Sequence, residues 1–421
     1  MILKPLSAQL EIIEGCTHSC RHCYNYYSQN RNNTPVRDDV LFNIINSDLF
    51  DITLTGGEPL KAKEVFFKSL KKFKEANMDV SLNSNLYLLN QKDAEKMKSL
   101  EINSILSSIL GPNSIINDKI TNVRGSFKKL CESLNYLTKE KINVSLNMVV
   151  SKLNFKYVYE TGKFVFETFG IKNFDATPMV ISPGRDEEDL RLSREEYVST
   201  LDTLLMLESC FGIIPDSLHP AIPCMFKDNQ RNKYRKFFET RSCVAGKGTI
   251  IFSPTGDVRP CSHEKRTFGN IISEPLEKIL RNMEEWSQGK LIPKECKVCV
   301  YLSRCNGGCR VAAEATYGKL DSVDPYFTKP VKEKLPEIKQ KEIDINSFGV
   351  IKGKIRYRKD NFEITTVYIN RNSNARLNNL EFEIFKRIIK NKTYKDISHE
   401  LGDPELAKNI IKNLARKGLL T

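Results

Sequence analysis

The sequence has no apolar run approaching the ~20 residues that a membrane-spanning helix needs, which argues against a transmembrane protein. Its first ten residues lack the basic segment and long apolar core of a secretory signal, so a cytoplasmic protein is expected. Internal repeats and low-complexity segments are also missing, which argues against a solenoid or a linker-like chain. With 40% apolar residues the chain is not a disordered polymer. Its 421 residues are enough for two or three cored domains.

Cysteine, by contrast, is plentiful, with 12 in the chain. In a reducing compartment, cysteines at fixed short spacings are more often metal ligands than disulfides. Ten fall into groups; Cys131 and Cys210 stand apart and read as small buried hydrophobes. The net charge is +13, and residues 331–421 hold 20 Lys/Arg against 12 Asp/Glu. Such a basic segment suits nucleic acid, an acidic peptide or simply a solvated face.

Short β-type runs alternate with helical stretches through the first half. Strands are expected at 9–13, 52–55, 79–83, 102–110, 142–150 and 174–180, and helices at 65–77, 127–139 and 157–169. That alternation implies a parallel sheet with crossovers, an α/β partial (β/α)6 barrel of TIM type, with its chemistry on the loops at the C-terminal strand ends. Residues 1–190 would form the barrel, 191–242 a helical bridge, 243–328 a cysteine-rich domain and 329–421 a basic module. In the last, strands at 355–357 and 365–369 precede helices at 380–390, 394–401 and 404–417, a small α+β winged-helix-like order. Pro404 after Asp403 is good helix-start chemistry.

Cys16, Cys20 and Cys23 form a CxxxCxxC loop after the first strand. Three thiolates can hold three irons of a [4Fe–4S] cube and leave the fourth open to a small molecule. Zinc is the alternative, although it usually takes paired knuckles and four ligands. Cys16-Thr-His-Ser-Cys20-Arg-His-Cys23 resembles the signature of radical S-adenosylmethionine (SAM) enzymes, with His22 at the commonly aromatic position. The resemblance implies that the open iron chelates SAM, whose reductive cleavage yields a 5′-deoxyadenosyl radical that takes hydrogen from substrate. Gly56-Gly57-Glu58-Pro59 resembles the family's GGEP loop: glycines let backbone approach a ligand, and Glu58 offers a carboxylate to an ammonium. Asn83 and Asn85 resemble its third-strand polar tips. SSILGP at 107–112 resembles its fourth-strand segment, so Ser108 would contact the SAM ribose or carboxylate. Leu110 replaces the usual Asp, and Arg124 is the nearest match to a displaced arginine.

A second field runs Cys243, Gly256, Cys261, then Cys296-x2-Cys299-x5-Cys305-x3-Cys309. With Cys243-Val-Ala-Gly246, Gly256-Asp-Val-Arg-Pro-Cys261, Phe268-Gly-Asn270 and Cys305-Asn-Gly-Gly-Cys309, it resembles the SPASM domain. A zinc ribbon is the alternative. The resemblance implies two auxiliary clusters: Cys243, Cys261 and Cys309 on the first, with Cys224 as candidate fourth ligand, and Cys296, Cys299 and Cys305 on the second. The family's usual last cysteine is missing, because 324–327 reads Asp-Pro-Tyr-Phe and no cysteine follows Cys309.

SPASM enzymes mostly modify peptides or proteins. The expected function is therefore a maturase of a ribosomally made precursor peptide, forming a thioether or carbon–carbon crosslink and fed by a low-potential electron donor. The alternatives are an anaerobic sulfatase-type maturase, an enzyme for a small molecule or tetrapyrrole, and a non-enzymatic iron–sulfur DNA-binding regulator. Ser262 weakens the sulfatase reading, because that group carries a carboxylate base directly after this cysteine. Residues 377–384, 394–398 and 414–420 resemble the small peptide chaperone of pyrroloquinoline quinone biosynthesis, which implies leader-peptide binding by strand addition. A DNA-binding winged helix or a plain packing cap fits the same elements, with nucleic acid the less expected partner. No catalytic side chain is assigned; His18, Tyr24, Asp175, His263 and Glu264 are the polar residues near the motifs.

Overall fold

The computed structural model describes residues 4–27, 33–184, 187–337 and 343–421. They divide into two units, Met1–Leu335 and Pro336–Thr421, each with its own hydrophobic core.

In the first unit all six expected strands form: β1 (Ser7–Glu11), β2 (Asp51–Thr55), β3 (Asp79–Asn83), β4 (Ser104–Ser108), β5 (Val144–Val150) and β6 (Asn173–Pro178). Each pairs in parallel with the next. Helices lie between them because the apolar residues switch from strand to helical spacing. Lys63–Glu75, for example, buries Phe66, Phe67, Leu70 and Phe73 along one stripe. All five residues of β2 are buried, the pattern of a parallel strand covered on both faces.

The sheet then continues beyond the expected six strands. β7 (Ile214–Asp216) lies within the stretch read as a helical bridge and pairs with β6, after the helix Arg194–Phe211. β8 (Thr249–Phe252), from the cysteine-rich region, pairs in parallel with β1, and β9 (Val258–Arg259) folds back against β8. The nine-stranded order is β7-β6-β5-β4-β3-β2-β1-β8-β9, so β7 and β9 are the edges and the barrel stays open. A three-residue strand such as β7 carries no period to read; its register comes from β6 alone. The β8 pairing places the second cysteine field against the first strand of the barrel. Cys210 is exposed on its helix, a correction to its reading as a buried small hydrophobe, whereas Cys131 is partly buried against the core.

In the second unit β10 (Arg356–Lys359), β11 (Ile364–Asn370) and β12 (Ser373–Asn378) form an antiparallel sheet. Three helices follow, Asn379–Ile389, Tyr394–Leu401 and Pro404–Arg416. β12 was not expected: its sequence, SNARLN, has only Ser373 and Leu377 buried and gives no apolar alternation. Asn378, Thr393 and Asp403 cap the three helices. Glu381 accepts from the Asn378 N–H at 2.9 Å, Asn413 Nδ2 at 2.6 Å and Lys417 Nζ at 2.7 Å, which ties the first of these helices to the last. No helix among the described residues is long and apolar enough to cross a membrane.

Candidate active site

The C-terminal ends of the strands surround a cavity of about 560 Å³. Cys16, Cys20 and Cys23 lie on its wall, and so do Cys243, Cys261 and Cys309.

The first cysteine loop is held from three sides. Gly57 N–H donates to the Ile13 carbonyl at 2.7 Å and Glu58 N–H to the Gly15 carbonyl at 2.9 Å, which joins the β2 loop to the β1 loop. Ser19 and Arg21 N–H groups donate to the Thr121 and Ile120 carbonyls at 3.2 and 3.3 Å. Asn85 Nδ2 donates to Thr17 Oγ1 at 3.0 Å and approaches Cys16 Sγ at 3.7 Å. His18 N–H donates to the same sulfur at 3.4 Å. Donors aimed at a thiolate sulfur suit an electron-rich metal ligand. A Cβ on Gly56 would stand 2.3 Å from the Ile13 carbonyl oxygen, and one on Gly57 2.2 Å from that of Glu14. With φ at +142°, Gly56 also uses backbone space that other residues rarely enter. The loop therefore fits a three-thiolate cluster with bare backbone beside it.

Other expected cofactor residues divide into two sets. His22, Gly56, Gly57, Asn83 and Ser108 all line the cavity. Glu58 does not have the role expected of its carboxylate. It is fully buried and accepts from Leu60 N–H at 2.9 Å, Ser84 Oγ at 2.7 Å and Asn85 N–H at 2.8 Å. Its side chain braces two loops and is turned away from any ligand ammonium; burial pushes its carboxyl upward against those three donors. Pro59 is buried at the start of the turn Pro59–Ala62, off the cavity wall. Arg124 is exposed and also off the wall, because Asp118 fixes its loop by accepting from Gly125 N–H at 2.6 Å and Phe127 N–H at 2.8 Å.

Several wall residues were missed. Asn117 is buried, accepts from Leu110 N–H at 2.9 Å and donates to Ser126 Oγ at 3.0 Å. Asn147 accepts from Thr177 Oγ1 at 2.8 Å, and Thr177 in turn accepts from Leu218 N–H at 3.0 Å. A polar residue inside the apolar run VSLNMVV was the available signal for Asn147. His219 was missed as well, whereas His18, Tyr24, Ser262 and His263, singled out from the sequence, also reach the wall, with the Tyr24 and His263 rings 4.7 Å apart. Asp175 is buried beside Asp216 and not on the wall; burial and that second carboxylate push it up to about 7. Glu264 is buried, and its carboxylate serves the Lys265 and Arg266 N–H groups, each at 2.9 Å.

In the second field the signature glycines and Asn270 are structural. Asn270 Nδ2 donates to Asp257 Oδ1 and the Thr255 carbonyl, both at 3.0 Å, closing the turn between β8 and β9. Gly308, at φ +86°, passes so close to Asp324 that a Cβ would lie 2.5 Å from its carboxylate. Asp324 accepts from Cys309 N–H at 2.8 Å. Among the described residues no three Cys, His, Asp or Glu side chains are drawn tightly enough to hold one metal ion. Cys243, Cys261 and Cys309 influence one another's charge, and burial pushes the Cys309 thiol up to about 11. Buried thiols of this kind ionise only with positive charge beside them, which an iron–sulfur centre supplies.

Cys224, the candidate fourth ligand of the first auxiliary group, lies off the cavity wall. Its thiol lies under the influence of Cys296 and Cys299, and Cys305 lies under that of Cys224. The turn Pro223–Met225 carries it to this group, with Arg231 Nε donating to the Pro223 carbonyl at 3.1 Å.

Residues 10–165 match the Radical SAM superfamily, and residues 243–306 match the SPASM iron–sulfur cluster-binding domain. The antilisterial bacteriocin subtilosin biosynthesis protein AlbA of Bacillus subtilis is 26% identical over 330 residues, 72% of this chain and 67% of AlbA. A serine-type anaerobic sulfatase-maturating enzyme of Bacteroides thetaiotaomicron is 24% identical over 355 residues, 73% of this chain and 83% of that enzyme. Among solved structures, Streptococcus suis SuiB bound to its precursor peptide SuiA shares the fold, with a TM-score of 0.62 at 15% identity over 76% of this chain and 75% of SuiB. A cavity walled by a three-cysteine loop and by SPASM cysteines, on an open parallel barrel, thus belongs to a radical SAM enzyme with a SPASM domain, whose cofactors are iron–sulfur clusters and SAM.

Proposed function

We propose that this enzyme is a maturase that crosslinks a ribosomally made precursor peptide. The observation that carries the reading is the shared cavity: Cys16, Cys20 and Cys23 stand on the same wall system as Cys243, Cys261 and Cys309. SAM on the first centre supplies a hydrogen-abstracting 5′-deoxyadenosyl radical. Gly56 and Gly57 offer backbone to SAM, Asn83 and Ser108 offer hydrogen bonds, and the apolar ends of β4 to β6 keep water from the reacting carbon. Closing a thioether or carbon–carbon bond removes two hydrogens from the peptide. One leaves as an atom and ends in 5′-deoxyadenosine. The other leaves as a proton with one electron, which an auxiliary iron–sulfur centre held by Cys243, Cys261 and Cys309 would accept.

Ser262 disfavours the sulfatase-type reading, since it puts a hydroxyl on the wall where a carboxylate base would stand. AlbA and SuiB are named for bacteriocin and precursor-peptide chemistry, which supports a peptide substrate here. The Pro336–Thr421 unit supports leader recognition: its sheet ends on β10, where Arg356 and exposed Lys359 supply charge, Arg358 being buried against Asp360. Tyr357 is exposed there, with its ring 5.2 Å from that of Phe382, and Phe362 and Leu380 are exposed in the same unit. A peptide strand laid along β10 would pair its backbone and rest apolar side chains on these rings. A low-potential donor in a reducing cytoplasm would recharge the first centre.

The test is anaerobic reconstitution, reduction with dithionite and incubation with SAM and a cysteine-containing precursor peptide. The expected result is 5′-deoxyadenosine together with peptide lacking two hydrogens per crosslink, both lost in Cys20→Ala. 5′-Deoxyadenosine without any change in the peptide would overturn the substrate, and its absence from a fully loaded protein would overturn the catalytic reading.

A further inference from the structure

We infer that Cys224 is the fourth protein ligand of the second auxiliary centre, with Cys296, Cys299 and Cys305, and that it replaces the cysteine missing at position 327. The inference concerns the cluster alone and needs no particular substrate.

Three observations meet at this point. The C-terminal side of the SPASM region ends in Asp324-Pro-Tyr-Phe327, and no cysteine follows Cys309. The structure brings a distant cysteine to that segment: the Thr328 hydroxyl, one residue past Phe327, donates to the Cys224 carbonyl. The Val300 N–H, next to Cys299, donates to the Val331 carbonyl at 3.0 Å, so the Cys296–Cys305 stretch is tied to the same segment just past Phe327. Electrostatics agrees: after burial, the charges of Asp324, Cys296 and Cys299 act on the Cys224 thiol, and those of Cys224, Asp324 and Cys296 on the Cys305 thiol. The turn is firmly placed: besides Arg231 on Pro223, the Phe226 and Tyr234 rings stack at 4.5 Å just beyond it. Asp324 is the other ligand type nearby, but its oxygens already accept from Cys309 N–H at 2.8 Å and Tyr326 N–H at 2.9 Å.

The two auxiliary groups then have different characters. Cys243, Cys261 and Cys309 all stand on the cavity wall, whereas in the second group Cys305 reaches it and Cys224, Cys296 and Cys299 do not. Four protein thiolates around one centre would leave no iron open, which suits passing electrons. With three protein thiolates, Cys243, Cys261 and Cys309, the first auxiliary centre would keep one iron without a cysteine ligand.

The test counts iron and sulfide per chain in the full-length, anaerobically reconstituted protein. Cys224→Ala should lose about four irons, as Cys296→Ala does. The Cys224→Ala/Cys296→Ala pair should lose no more than either alone, and Cys224→Ala/Cys243→Ala about eight. The inference fails if Cys224→Ala keeps all its iron, if its loss overlaps that of Cys243→Ala instead, or if zinc is the metal released. Because these variants can fail to fold, the wild-type protein is also alkylated with iodoacetamide before and after iron removal. Cys224 should react only after removal, with exposed Cys210 reacting in both; modification of Cys224 in the loaded protein overturns the assignment.

Discussion

Ser84 Oγ donates to Glu58 Oε1 at 2.7 Å, and this buried bond locks the loop after β2 to the loop after β3. Since Asn85 continues from Ser84 to the Cys16 sulfur, the carboxylate of Glu58 positions the cluster loop without touching it.

Removing that carboxylate should act through stability. Glu58→Ala leaves Ser84, Asn85 N–H and Leu60 N–H without their buried acceptor, at about 1–3 kcal/mol for each group left unpaired. Thermal unfolding should show a lower midpoint. In the fraction that folds and loads, SAM affinity should change little. A selective loss of SAM binding at unchanged stability would restore the ammonium-binding role to Glu58.

Asn85→Ala removes a donor directed at Cys16 Sγ and Thr17. Activity or cluster affinity should fall roughly 10–100-fold, the usual effect of deleting a partner just outside the metal ligands. The reduction potential of the SAM-binding centre, followed by EPR, should move to a more negative value, because one fewer N–H stabilises the reduced cluster's charge.

Gly57→Ala and Arg124→Ala should behave as opposites. The added Cβ, 2.2 Å from the Glu14 oxygen, cannot be accommodated without moving the cysteine loop. Iron content should drop by about four while auxiliary iron remains. Arg124 is exposed and off the wall, so its alanine variant should bind SAM as the parent does in equilibrium dialysis.

Asp175 should make stability depend on pH. Burial and Asp216 raise its folded-state value to about 7, above the ordinary carboxylate range. The folded protein then holds a proton that the unfolded chain releases, so this group's contribution falls as pH rises from about 4 to about 7. Asp175→Asn should flatten the denaturation midpoint across that window. A slope identical to the parent's would show that Asp175 is already ionised in the folded protein.

For the C-terminal unit, Tyr357→Ala combined with Arg356→Glu should weaken precursor-peptide binding by roughly tenfold or more, as loss of an aromatic and an arginine anchor does. Uncoupled 5′-deoxyadenosine formation should stay unchanged. Unaltered peptide affinity, measured by fluorescence anisotropy, would remove leader recognition from β10.

The sequence alone determined whatever depends on short spacing. Cys16, Cys20 and Cys23 lie within eight residues, and Gly56-Gly57 directly follows a strand, so chemistry and location could be read together. The six barrel strands were legible because each is followed by a change of apolar period. Tertiary structure decided the rest. β7 and β8 exist because β6 and β1 offer them open edges, and no local period in three or four residues announces that. The inward turn of Glu58, the outward position of Arg124 and the company kept by Cys224 each depend on partners 26 or more residues away or on a loop fixed elsewhere, as Ser84 and Thr328 show. Spacing along the chain identifies ligands; only packing, which brings distant segments within bonding distance, assigns each ligand to a centre.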